Sequence, residues 1–147
     1  MIRPSRYLLA AVALVGLTAV SPAVAGQATP RKLIAPVRGE ATVDITKPDT
    51  KVIKNEVVTV IMVKNTAKGP IAGLKIEENW YDKAGNPVGG DTYRHPRPLP
   101  PNEVIKVTLT TPRNAQMTRN QYQFTHSNGT IKPNSVAKLE APKTTTQ

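Results

Sequence analysis

Between Ala41 and His126 apolar residues recur at every second position in short runs, and turn residues separate one run from the next. Successive side chains of a strand point to opposite faces, so such a run can bury one face and leave the other in water. Val43 and Ile45 alternate with Thr42, Asp44 and Thr46. The stretch from Val57 to Val63 is β-branched almost throughout and reads as a central strand. Leu74, Ile76 and Trp80 share one face, while Lys75, Glu77, Asn79 and Tyr81 share the other. Val88 to Tyr93 returns as its partner, Val104 to Thr110 turns Ile105, Val107 and Leu109 inward, and Gln121 to His126 presents Tyr122 and Phe124.

Turn chemistry falls between these runs. Lys47-Pro48-Asp49-Thr50 and Asn128-Gly129 each suit a reversal. In Asp82 to Asn86, Gly85 can take positive φ, and Gly89-Gly90 should weaken or bulge the strand that contains it. No convincing helical period appears after the leader. The expectation is therefore an all-β, antiparallel sandwich of six to seven strands over residues 39–134, with Trp80 as the central core residue beside Ile76, Tyr122 and Phe124.

The ends of the chain read differently. Arg3 and Arg6 precede an apolar run from Tyr7 to Val20, and Ala23-Val24-Ala25 closes it with small residues suited to signal peptidase. Residues 1–25 are expected to be a cleaved signal peptide and Gly26 the first mature residue, which implies a periplasmic or secreted protein. Before cleavage the signal is its only expected link to a membrane. Residues 26–38, rich in Pro, Ala and basic side chains, are expected to form a flexible lead-in, and residues 135–147 a disordered tail.

Cysteine is absent. The chain thus has no disulfide and must rely on an ordinary hydrophobic core. A lipidated cysteine, a c-type haem site, thiolate zinc sites and thiol catalysis are excluded with it. The full chain carries a net charge of +10, and without Arg3 and Arg6 it carries 18 basic against 10 acidic residues, or +8. That excess favours anionic partners. It is spread along the sequence without a basic block, and no nucleic-acid motif accompanies it, so no nucleic-acid partner is expected.

The order of Val60, Val63 and Asn65, then Trp80-Tyr81-Asp82, the turn at Gly85 and Leu99-Pro100-Pro101-Asn102-Glu103 resembles the FxLYD-type domain. The likeness runs over roughly Glu56 to Thr111, with Glu78 where the family's motif has Phe and Trp80 where it has Leu. What the resemblance implies is a small immunoglobulin-like sandwich of exported proteins, without a catalytic site.

Chemistry is scarce in the rest of the sequence. His95 and His126 are far apart, and H-E-x-x-H, G-x-S-x-G and phosphate-binding glycine loops are absent. Glu77, Glu78 and Asp82 read as solvated or ion-paired side chains, and Met62, Met117 and His126 lack the spacing of a copper site. The expectation is no enzyme, no metal and no cofactor. Two functions fit: a non-catalytic binding or assembly module of the bacterial cell envelope, docking an envelope protein through a sheet edge or a loop, or a basic surface adhesin holding an anionic envelope polymer through Arg94, Arg97, Arg113 and Arg119. The candidate partner-binding residues are Tyr93, Arg94, Arg97 and Leu99, in and beside the stiff segment His95 to Pro101 with its four prolines. Prolines lower the ordering cost of binding.

Overall fold

The computed structural model describes residues 33–141. The expected signal peptide and residues 142–147 of the expected tail lie outside the described residues. Eight strands follow in order: β1 (Ala41–Thr46), β2 (Asp49–Ile53), β3 (Glu56–Asn65), β4 (Lys75–Tyr81), β5 (Pro87–Arg94), β6 (Val104–Pro112), β7 (Arg119–His126) and β8 (Gly129–Val136). The fold is all-β, and no helix occurs among the described residues.

Strand β3 organises one half. Along one edge it pairs antiparallel with β6, from Glu56↔Pro112 to Lys64↔Val104. The other edge is shared by β2, which covers Glu56 to Val60, and β1, which covers Val63 to Asn65. In the second half β4 lies between β5 and β7, again antiparallel. Strand β8 joins the halves: its first residues pair with the end of β7, and from Ile131 to Val136 it runs parallel to β1. One mixed sheet therefore curls over itself in the order β2-β3-β1-β8-β7-β4-β5, with β6 branching from β3.

Alternation explains which side chains meet inside this curl. Val43, Ile61, Val63, Val107 and Leu109 come from the first half, Ile76 and Phe124 from the second, and Ile131 from the joining strand; all are buried in one cluster with Ile71, Leu74 and Leu99. The far seam is closed without a ladder. Asp91, on β5, accepts a hydrogen bond at 2.7 Å from the backbone N–H of Thr110 on β6.

Several sequence expectations are corrected. Eight strands occur among the described residues, and the β1–β8 pair is parallel. Strand β2 stands where a turn was expected, because Pro48 sits just before the first ladder residue and so removes no ladder N–H. The reversal comes later, at Lys54, whose φ of 55° is left-handed. Ser135 and Val136 are not tail but the last rungs against Ile45 and Thr46. The end of the expected lead-in is likewise docked: the Val37 N–H donates to Pro70 O at 3.0 Å, and its side chain packs on the core. The irregularity expected at Gly89-Gly90 lies one residue earlier in the chain: Gly90 and Gly89 pair with Asn79 and Trp80, and the register then skips Val88 to set Pro87 opposite Tyr81.

The loops at one end are tied together by a single buried amide. Asn65 is fully buried; its Nδ2 donates to Gly69 O at 3.0 Å and to Leu99 O at 2.8 Å, and its Oδ1 accepts from the Ala67 N–H at 2.8 Å. Its backbone N–H and C=O bind Glu103 and Asn102, so every polar group of the residue is used. Asn65→Ala takes their partners from Gly69 O and the Ala67 N–H and leaves Leu99 O only the Ile71 N–H, and unsatisfied buried groups cost about 1 to 3 kcal/mol each before relaxation. A loss on the order of 3 kcal/mol is expected in urea unfolding, with the slope of the transition unchanged.

Candidate functional site

The proline-rich crossover between β5 and β6 is built less for display than its sequence suggests. Leu99, expected to face a partner, is fully buried, and it exchanges backbone hydrogen bonds with Ile71 at 2.9 Å in both directions. Tyr93 packs against the core, and its hydroxyl is hydrogen-bonded to His95 Nδ1 at 2.8 Å. Arg97 is exposed but held in a two-pronged ion pair with Glu103, its Nη1 donating at 3.1 Å. Of the four candidates only Arg94 is both exposed and without a carboxylate partner among the described residues. Four prolines stiffen a segment that fastens the sandwich end.

His95 carries the unsatisfied polar atom of this segment. Its Nε2 is buried with no hydrogen-bond partner among the described residues. Burial, and then the Arg97 guanidinium, hold its imidazole below the ordinary value of 6.5. A lowered histidine pKa means that the unfolded chain takes up the proton more readily, so the associated stability is full above pH 6.5 and declines as pH falls below it.

The four arginines expected to gather do not. Arg94 sits opposite Lys75 at the start of β4, whereas Arg119 sits opposite Tyr81 at its end and stacks its guanidinium 5.4 Å from that ring. Six strand steps separate these positions by roughly 20 Å. A different basic group is assembled instead around a cleft of about 940 Å³, where Lys64, Lys106, Lys138 and Arg97 outnumber Glu103 and Glu140.

Between the two halves lies a carboxylate that the sequence reading left in water. Glu78 is 1% exposed. Its Oε1 accepts from Thr59 Oγ1 at 2.8 Å, Tyr122 OH at 3.0 Å and Asn120 Nδ2 at 3.1 Å, and its Oε2 accepts from Thr111 Oγ1 at 3.3 Å. Thr59 and Thr111 come from β3 and β6, Asn120 and Tyr122 from β7, so the network spans the sandwich. Burial raises the Tyr122 phenol above its ordinary pKa, which keeps its proton available to Glu78. Parity was the signal that could have found this group: Glu78 shares its face with Leu74 and Ile76, and Thr59 and Thr111 occupy inward positions of their strands.

Trp80 is corrected with it. Expected at the centre, it is half-buried at the end of β4 beside the bulge and stands outside the core cluster; Ile76 and Phe124 are in that cluster and Tyr122 packs against it. Trp80 lines a cleft of about 260 Å³ with Thr50, Val52, Val57, Arg113 and Met117. Its indole Nε1 is buried with no acceptor among the described residues. Strand β2 forms the lip of this cleft. All five of its residues are exposed, Val52 by 55% and Ile53 by 51%, and its outer edge pairs with nothing among the described residues.

The other candidates are absorbed by structure. Glu77 pairs with Lys75 at 2.7 Å, and Asp82 closes its turn by accepting from the Asn86 N–H at 2.8 Å. Gly85, at φ 91°, completes that turn. His126 Nε2 is hydrogen-bonded to Gly39 O at 2.8 Å, Met62 lies on the outer face of β3, and Met117 lies against Gly89. Among the described residues no group of three His, Asp or Glu side chains could hold a metal ion.

No family model matches the chain, and no curated protein matches it. Among solved structures it is similar to IrmA from Escherichia coli, at 12% identity and a TM-score of 0.42, over 68% of this chain and 97% of that one. At that level the likeness carries no argument.

Two measurements test the site. Glu78→Gln puts an amide nitrogen among converging donors and should cost about 1 to 3 kcal/mol by urea unfolding. Lowering the pH from 7.5 to about 5 should reduce stability, and His95→Gln should remove part of that slope, since glutamine does not titrate.

Proposed function

We propose that this domain is a non-catalytic binding or assembly module of the bacterial cell envelope, exported and released by signal cleavage, and that it docks an envelope protein through a sheet edge. The observation that carries the reading is β2, a strand exposed at all five positions, with an outer edge unpaired among the described residues and two half-exposed aliphatic side chains. Strand addition to such an edge is a recurrent mode of recognition, in which backbone hydrogen bonds give affinity and flanking pockets give selectivity. The crossover that suggested itself from sequence offers less, because Leu99 is buried and Arg97 is already paired. The order of Val60, Val63, Asn65 and Trp80-Tyr81-Asp82 supports placing the domain among the FxLYD-type sandwiches.

One observation favours a second reading, an adhesin for anionic envelope polymer. Lys64, Lys106 and Lys138 border the larger cleft without carboxylate partners among the described residues. Salt separates the two. Exposed charges are screened over about 10 Å at 0.1 M ionic strength, whereas backbone pairing is not. Binding of envelope extract to the immobilised domain should persist from about 50 to 500 mM salt if the edge is used. A collapse of binding across that range would favour the polymer.

A further inference from the structure

We infer that the β2 edge and the Trp80 cleft form one receptor for an extended acidic peptide segment of the partner. The segment adds to β2 as a strand, seats one apolar side chain against Val52, Val57 and Trp80, and presents carboxylates to Lys51 and Arg113. The inference rests on the reading of the domain as a binding module and names the chemistry of what it binds.

Edge and cleft belong together because they share residues. Thr50, Lys51 and Val52 line the cleft, and the same residues carry the unpaired edge. Thr50 and Val52 face inward, as their register opposite Thr59 and Val57 shows, since those two side chains are buried. A strand laid along β2 would therefore turn alternate side chains toward the cleft. The cleft, about 260 Å³, is below the usual range of small-molecule sites and has room for one large side chain.

Charge selects the segment. The cleft is lined by Lys51 and Arg113 and, among the described residues, by no carboxylate. Lys51 is held to Asp49 at 2.8 Å, but both side chains are more than half exposed, so the pair is weak and open to exchange with a partner's carboxylate. Natural edges are commonly guarded by lysine, which deters unplanned pairing. Here Lys51 deters a second copy of this chain in any register that sets it opposite its own counterpart, and it admits an acidic strand.

The remaining open edges are treated differently. On β5 the bulge breaks the ladder, and Asp91 reaches from that strand to the β6 backbone. On β2 no bulge and no bridging side chain occurs among the described residues, and Val52 and Ile53 stay half exposed. Trp80 adds a donor, since its indole N–H is buried without an acceptor among the described residues and a peptide carbonyl entering the cleft would supply one.

The test uses an end-blocked eight-residue peptide in which leucine alternates with glutamate, its lysine-for-glutamate counterpart, and the acidic peptide N-methylated at alternate amides. Trp80 is the only tryptophan of the chain, so its emission reports the cleft directly. The acidic peptide should bind with a blue shift of that emission, and the other two should bind at least tenfold more weakly. Lys51→Glu combined with Arg113→Glu changes two exposed side chains, should leave thermal unfolding unchanged and should reverse the preference to the lysine peptide. Binding indifferent to N-methylation or to charge reversal overturns the inference, as does a homodimer that the acidic peptide fails to dissociate. If no peptide binds while the wild-type domain retains an envelope protein at about 500 mM salt, the site assignment falls and the module reading stands. If neither binds, both fall.

Discussion

The two halves of this sandwich are held in register by a carboxylate where an aliphatic side chain would normally sit. Glu78 draws donors from β3, β6 and β7 onto one residue of β4. Apolar packing tolerates a small slide of one sheet over the other, because burial has little direction. Hydrogen bonds between fixed donors and a buried acceptor do not. A shift of one residue would turn Glu78 outward and leave Thr59, Thr111 and Tyr122 facing a void. The network thus specifies one arrangement of the halves, and the aliphatic cluster forms the hydrophobic core that they share.

The strands were legible where alternation was strong. Ile105, Val107 and Leu109 on β6, the pair Tyr122 and Phe124 on β7, and the turn at Gly85 all lie as their sequence implies. What escaped depends on contacts distant in sequence. Strand β2 has no buried position and so writes no hydrophobic period; only its ladder to β3 defines it. Strand β8 buries Ile131 and little else, and it exists because β1 offers a parallel edge. Parallel pairing between strands so far apart leaves no local mark.

The site shows the same division. The prolines around Leu99 mark it as a contact residue, whereas its burial follows from the antiparallel bridge to Ile71, which no local pattern announces. The charge of Glu78 points to solvent, whereas its parity with Leu74 and Ile76 points inward. Residue type and position conflict there, and position is the better guide. For Trp80 parity alone is not enough: it shares the inward face, but it is the next-to-last residue of β4, beside the bulge and outside the core cluster.

The parallel seam between β1 and β8 has a mechanical consequence. Chain enters β1 at Ala41 and leaves β8 at Val136, at opposite ends of the shared ladder. Tension applied through these two points loads all the rungs from Ala41↔Ile131 to Thr46↔Val136 in shear, together, rather than peeling them one at a time. An antiparallel seam gripped at the same two positions would have been unzipped from one end. A domain tethered through both flanks would resist extension first at this seam, with the Glu78 network and the β2 edge lying outside the line of force.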